Sequence, residues 1–210
     1  MKQIVLLGMI ITTMVGSLTG CSDPRAANDK NIENAVKQYL SEDGALCLQM
    51  HEWPLLLEPD DLKMITRFPK GIAGQMAMLE QAGVVSSEEV VQQDKFFIVG
   101  SNISKRYQLT ALGKKYFRAK ATDSEGRALD ADLCYAKKEL DRLTKWEGEP
   151  SSDLVIATYT YKVSGLADWA KKPEFNAVFE DVAVAGLQPQ PEQRTVKLGI
   201  KGWEVMALPQ

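Results

Sequence analysis

The chain has 210 residues, of which 45% are hydrophobic and 25% charged, and its formal net charge at pH 7 is −3. This much apolar material with so little net charge excludes a chain that is disordered throughout. The length suits one substantial domain or two small ones.

Residues 1–20 have the pattern of a secretory signal peptide. Lys2 supplies a positive charge, and residues 4–18 form an apolar run softened by Thr12 and Thr13. The run has the length of a signal-peptide core and is short for a transmembrane helix, which needs about 20 apolar residues. An uncleaved N-terminal membrane anchor is the alternative interpretation.

A cysteine follows this run in the sequence Leu18-Thr19-Gly20-Cys21. The quartet resembles the lipobox of bacterial lipoproteins, in which an aliphatic residue and two small residues precede a cysteine that accepts a diacylglyceryl group. The resemblance implies cleavage before Cys21, acylation by palmitate-like chains and attachment to a membrane of the bacterial cell envelope. Ser22 stands where the inner-membrane retention signal of enteric bacteria has aspartate. In a host with two membranes, the resemblance therefore implies the outer one, with the protein facing the periplasm.

Cleavage after Gly20 leaves a mildly acidic mature chain. Among the charged residues it removes only Lys2, so 24 basic and 28 acidic side chains remain and the formal charge becomes −4. Residues 21–30 are small, polar and charged, which predicts a short tether between the lipid and the folded body.

Two cysteines, Cys47 and Cys134, remain in the body. An oxidising envelope compartment favours their pairing, and we predict a disulfide between them. Both lie among apolar residues, so two buried free thiols that pack as small hydrophobes are the alternative. A reactive pair is not expected, because the chain has no C-x-x-C motif.

Residues 31–120 are predicted to form the first of two modules. Apolar residues recur at helical spacing over 31–42, and further helix patterns begin near Glu58 and Gly71. A short strand is predicted over 45–50.

Part of this module, residues 71–117, contains two sequence patterns, LEQAGVV at 79–85 and RYQLTALGK at 106–114. The pair resembles the second half of a winged-helix domain. In that fold a helix ends in a leucine-glycine-aliphatic turn, a β-hairpin forms the wing, and Y-x-L-T-x-x-G opens a final helix. The resemblance implies a winged-helix-like module.

Charge argues against the DNA binding that a winged helix often performs. Residues 71–93 contain no lysine or arginine but include Glu80, Glu88 and Glu89. Affinity for nucleic acid depends largely on basic side chains that neutralise phosphates. We interpret the basic residues near the predicted wing as a solvated face: Lys105, Arg106, Lys114, Lys115 and Arg118. No nucleic-acid partner is expected.

Residues 128–210 are predicted to form the second module. The stretch 154–163 is rich in β-branched and aromatic residues and predicts a strand, whereas 132–146 fits neither helix nor strand cleanly. A helix interrupted at Pro173 is predicted over 167–179, and a hairpin over 194–208. The expected fold class is α+β: an N-terminal winged-helix-like helical module followed by a small antiparallel sheet with one packed helix.

No set of catalytic residues is found in the sequence. The one histidine, His51, is interpreted as a packed structural residue, and no cysteine pair has the spacing of a zinc site. The motifs of serine hydrolases, P-loop NTPases and dinucleotide-binding folds are missing. We therefore expect no catalytic residue, no metal ion and no cofactor.

Two further groups of residues are given structural interpretations. Glu58, Asp60 and Asp61 are better explained by capping of a helix than by hydrolysis or cation binding. Four tryptophans are assigned to the core rather than to a ligand groove: Trp53, Trp146, Trp169 and Trp203.

The expected function is that of a non-enzymatic envelope lipoprotein. The lipid on Cys21 attaches it to the membrane, and its body binds an envelope protein, a cell-wall fragment or a small ligand. A narrower form is an inhibitor or immunity protein that intercepts a toxic agent at the cell surface. The alternative is a periplasmic hydrolase that uses a carboxylate pair without histidine.

Overall fold

The computed structural model describes residues 23–91, 103–149, 151–179, 182 and 190–206. Strand accounts for 44% of the structure and helix for 27%. The helices are α1 (Asp29–Asp43), α2 (Pro59–Lys63), α3 (Ile72–Gln81) and α4 (Pro173–Val178), with 3-10 turns at Gly113–Lys115 and Asp168–Lys171. The strands are β1 (Ala45–Gln49), β2 (Leu55–Leu57), β3 (Val85–Val91), β4 (Ile103–Leu109), β5 (Phe117–Thr122), β6 (Ala128–Glu147), β7 (Leu154–Ser164), β8 (Gln190–Leu198) and β9 (Trp203–Val205).

The larger of two antiparallel sheets has the strand order β1-β6-β7-β8-β9, and β5 pairs with β6 beside this path. The long strand β6 organises the sheet, because β1, β5 and β7 all pair with it. α1 packs against both β6 and β9. These strands are separated by β7 and β8, so the sheet curls around the helix as a half-barrel.

α1 combines a capped start with an apolar stripe. The side-chain oxygen of Asn28 accepts the backbone N–H of Asn31 at 2.9 Å, which satisfies one of the free donors of the first turn. Ile32, Val36 and Leu40 are buried against the sheet. This helix confirms the one predicted over 31–42.

The smaller sheet has the order β2-β4-β3 and lies next to α2 and α3. A second hydrophobic cluster joins it to the first part of β6, through buried residues such as Met76, Leu79, Tyr107 and Leu133. The long strand β6 therefore contributes to both cores, because its later residues pack beside α1.

The predicted fold class is wrong, because the protein is mostly β and does not begin with a helical module. Within 31–120, α1 packs on the larger sheet, and β1 and β5 are strands of that sheet. The larger sheet is thus assembled from both halves of the sequence.

The final helix implied by the Y-x-L-T-x-x-G pattern is also absent from the described residues. Thr110 Oγ1 donates to the carbonyl oxygen of Gly83 at 2.7 Å and accepts the N–H of Gly113 at 3.1 Å, which closes a turn. The chain then enters β5, where Phe117 pairs with Leu133. Pairing with β6, the next strand along the chain, outweighs the local helical pattern here.

Several expectations for the second half are confirmed. The stretch 154–163 lies in β7, and the helical region breaks at Pro173 into a 3-10 turn and α4. The hairpin forms as β8 and β9, with Leu198 opposite Trp203. The ambiguous stretch 132–146 belongs to β6.

Candidate functional site

The described chain begins with a short segment, residues 23–27, that is fixed to the body by hydrogen bonds. Asn31 Nδ2 donates to the carbonyl oxygens of Asp23 and Ala26 at 2.9 and 2.8 Å. The indole N–H of Trp203 donates to two carbonyl oxygens of the segment, each at 3.2 Å. This part of the predicted tether is therefore docked on the body, and we call it the N-terminal segment.

The N-terminal segment lies against the turn between β8 and β9, residues 199–202, which we call the hairpin tip. Arg25 Nη1 donates to the carbonyl oxygen of Gly199 at 3.3 Å. Gly202 has a φ of 132°, and a Cβ there would lie 3.2 Å from a carbonyl oxygen of the N-terminal segment. Glycine therefore suits both the backbone and the close approach.

The hairpin tip exposes an aliphatic side chain among basic groups. Ile200 is 97% exposed. Beside it an open groove of 670 Å³ is lined mainly by the tip, Arg25, Lys197 and Glu204. We call the N-terminal segment and the hairpin tip together the anchor-proximal surface.

Two acidic residues, Asp23 and Glu204, also lie at or beside the anchor-proximal surface. The Asp23 carboxylate accepts the backbone N–H of Arg25 at 2.8 Å, and Glu204 stands opposite Lys197 in the pairing of β8 with β9. Lys201 is exposed on the tip itself. The surface therefore combines cations and an aliphatic side chain in one exposed place.

The predicted lipidation site, Cys21, lies outside the described residues, as does the lipobox. It precedes Asp23 by two positions. Because an extended chain spans at most about 3.6 Å per residue, the Cα of Cys21 lies within about 7 Å of the Cα of Asp23. Covalent geometry thus keeps the predicted anchor close to the anchor-proximal surface.

Replacing Trp203 by phenylalanine is expected to loosen the N-terminal segment. The variant keeps an aromatic ring but loses the N–H that holds two backbone carbonyls. A net loss of about 1 kcal/mol corresponds to about fivefold more frequent opening of the segment. Tryptic cleavage after Arg25, followed by mass spectrometry of the mature protein, should be faster by that factor.

Trp169→Phe is the matched control for this experiment. Trp169 is also buried, but its indole N–H has no hydrogen-bond partner among the described residues. Its replacement should leave the rate of cleavage after Arg25 unchanged. Equal acceleration in both variants would show that a general loss of core packing, and not the Trp203 hydrogen bonds, controls the segment.

A second group of polar residues, which we call the charged cluster, lies between α1 and the larger sheet. Lys138 Nζ lies 3.1 Å from Glu192 Oε2, and Arg194 also contacts the Glu192 carboxylate. Arg194 Nε donates to the hydroxyl of Tyr39 on α1 at 3.5 Å. All three charged side chains are largely buried. The cluster links α1 to the sheet and leaves Glu192 fully engaged.

Tyr159 contributes a buried hydroxyl beside the charged cluster. The hydroxyl has no hydrogen-bond partner among the described residues. Burial, and next the negative charge of Glu192, raises the pKa of Tyr159 above its usual range. The phenol therefore stays neutral and is unsuited to act as a base near neutral pH.

The predicted disulfide between Cys47 and Cys134 is confirmed. It joins β1 to β6 at residues that are partners in the sheet. A carboxylate oxygen of Asp132 lies within 4.8 Å of both sulfurs, but this carboxylate pairs with Arg118 at 3.0 Å and Lys120 at 3.1 Å. Because the sulfurs are bonded to each other and the carboxylate is neutralised, the three groups do not suit a metal ion.

The three carboxylates considered for hydrolysis have structural roles at the start of α2. Glu58 and Asp61 form a capping box, in which the Glu58 N–H donates to Asp61 Oδ2 at 3.1 Å. Glu58 Oε2 also accepts the hydroxyl of the buried Ser104 at 2.9 Å, and Asp60 pairs with Lys63. This arrangement agrees with the capping interpretation.

His51 and the tryptophans differ in their surroundings. His51 is exposed, with a φ of 54°, so its interpretation as a packed residue is wrong. Three of the four tryptophans, Trp53, Trp169 and Trp203, are buried as predicted. The fourth, Trp146, is half-buried, and its indole N–H donates to Asp29 at 2.8 Å.

The basic residues near β4 and β5 are partly paired with acids. Arg106 pairs with Glu88 across β3 and β4 at 3.1 Å, and Lys105 stands opposite Glu89. Arg118 pairs with Asp132. This region therefore presents mixed charge, which agrees with the interpretation as a solvated face.

In fold terms the protein is a disulfide-bonded, mostly β domain in which an antiparallel half-barrel curls around one helix. The chain matches no protein-family model, no curated protein and no solved structure. Within the described ranges, none of the helices has the length and hydrophobicity of a transmembrane span.

Proposed function

We propose that this protein is a lipoprotein of the bacterial cell envelope, acylated at Cys21, whose body is a non-enzymatic binding module. The observation that carries the proposal is the lipobox-like sequence ending at Cys21, together with the docked N-terminal segment that follows it. An acylated Cys21 would attach the body to the membrane through a chain of two residues.

The disulfide and the local environment of the acidic residues support the same proposal. A disulfide is typical of proteins in oxidising compartments such as the periplasm. Glu58, Asp60 and Asp61 are engaged in capping and ion pairing, so the carboxylates considered for a hydrolase do not favour that activity. The binding partner in this proposal is an envelope protein or a cell-wall fragment, and the outer membrane is the location that Ser22 favours.

Cys21→Ser tests the proposal, because serine cannot accept the diacylglyceryl group through a thioether. The wild type should incorporate an alkyne analogue of palmitate and sediment with outer-membrane fractions, whereas the variant should lose the label entirely and keep residues 1–20. Ser22→Ala changes the neighbouring residue and should remain fully labelled. A wild type without label, or a labelled Cys21→Ser variant, would contradict the proposal.

A further inference from the structure

The hairpin tip is a candidate for a second contact with the lipid surface. We propose that, in the acylated protein, residues 199–202 lie in the phospholipid headgroup layer with Ile200 inserted at the boundary with the acyl chains. The inference rests on the proposed acylation of Cys21.

A lipid on Cys21 would hold the hairpin tip within a short distance of the membrane surface. Acyl chains on Cys21 place its backbone at the edge of the hydrocarbon, and the polar layer outside this edge is roughly 5–8 Å thick. Asp23 follows within about 7 Å. Arg25 donates a hydrogen bond to Gly199 of the hairpin tip, and Trp203, the residue that follows the tip, donates to the N-terminal segment. The tip therefore cannot move far from the headgroups.

The N-terminal segment is docked on the body. The body therefore lacks the freedom to move relative to the anchor that a free tether would allow. Asn31, at the start of α1, holds the carbonyl oxygens of Asp23 and Ala26. The tip and the segment also meet closely at Gly202. A body fixed in this way faces the membrane with one defined surface.

The anchor-proximal surface has the chemistry of a lipid contact. Ile200 is 97% exposed at a turn, where polar residues are the rule. Aliphatic insertion between basic side chains is the pattern of proteins that lie on membranes, because cations bind lipid phosphates while their stems cover apolar surface. Arg25, Lys197 and Lys201 provide these cations.

Acidic groups near the tip limit its preference for anionic lipid. Asp23 lies in the N-terminal segment, Glu204 lines the groove beside the tip, and the backbone of Asp153 accepts the N–H of Leu198 at 2.8 Å. The nearby charges are therefore almost balanced. The inferred contact is with the phosphate groups that all phospholipids share, guided by the anchor.

The test uses the full acylated protein in vesicles of phosphatidylethanolamine and phosphatidylglycerol. Ile200→Cys introduces one reactive thiol, because Cys47 and Cys134 are bonded to each other and Cys21 carries lipid. A fluorophore on this thiol should be quenched at least about twofold by phospholipids that carry a shallow nitroxide. The matched control is Ile72→Cys, an exposed isoleucine at the start of α3 and outside the anchor-proximal surface; its label should not be quenched.

A second measurement needs no substitution. Acetylation of Lys201 should be at least about threefold slower in vesicles than in detergent micelles, because its amine is then engaged by lipid phosphates. Lys145, which is exposed on β6, provides the internal control and should react equally in both.

The outcomes separate this inference from the proposed function. An acylated protein whose label at position 200 is not quenched overturns the inference alone. A label that is shielded from water but not quenched by lipid indicates contact with a second copy of the chain and also overturns it. A mature chain without acyl groups overturns the proposed function and this inference together.

Discussion

The double variant Cys47→Ala, Cys134→Ala is expected to lose about 3–4 kcal/mol of unfolding free energy. The disulfide closes a sequence separation of 87 residues, and a cross-link of this span greatly restricts the unfolded chain. It also connects β1 to β6, the long strand that organises the larger sheet. Equilibrium urea unfolding followed by tryptophan fluorescence should show the loss as a lower midpoint.

Reduction provides the control for the disulfide prediction. A reducing agent should lower the midpoint of the wild type toward that of the double variant and should not affect the double variant itself. Thiol titration of the denatured, unreduced wild type should find neither Cys47 nor Cys134 reactive. Two reactive thiols there would contradict the disulfide.

Glu192→Gln is expected to lower the unfolding free energy by about 2–4 kcal/mol. The side chain of Glu192 is only 13% exposed, and its carboxylate neutralises Lys138 and Arg194 together. Glutamine has nearly the same shape but no charge, so two largely buried cations would lose their counter-charge. The same urea measurement applies.

The matched control for Glu192 is Glu147→Gln at the end of β6. Glu147 pairs with Lys145 at 3.1 Å, but its side chain is 61% exposed. Water screens such a pair, so its loss should change the unfolding free energy by about 0.5 kcal/mol or less. Equal effects of the two substitutions would show that the charged cluster is no more important than a surface ion pair.

Local patterns in the sequence predict those elements whose buried residues all lie on one face. α1 presents a single apolar stripe to the sheet, and β7 carries the β-branched and aromatic residues typical of a strand. The β8–β9 hairpin is marked by Lys201 and Gly202 at its turn. In each case a short window contains the information that determines the element.

β6 shows why the rest of the fold was not predictable in the same way. Leu133 and Tyr135 pack in the cluster around α3, whereas Leu140 and Leu143 pack beside α1. Register shifts near Arg142 and Lys145 change which side chains face the core. Because the two halves of the strand obey different alternations, its apolar residues fit no single period.

The sequence alone predicts only some of the residues that form the candidate sites. Short motifs and the predicted compartment point to Cys21 and to the disulfide cysteines, but the charged cluster unites Tyr39, Lys138 and Glu192 from distant positions. The hairpin tip offered a usable indication, an isoleucine between Gly199 and Lys201 at a turn. The fold brings Arg25 to the same place, which no local pattern in the sequence indicates.

The central claim is that lipid on Cys21 holds this body at a membrane, and the mass of the N-terminal tryptic peptide tests it most directly. Trypsin cuts after Arg25, so the mature protein should yield Cys21-Ser22-Asp23-Pro24-Arg25 with the added mass of a diacylglyceryl group. A peptide that extends into residues 1–20 with an unmodified Cys21 would contradict the account.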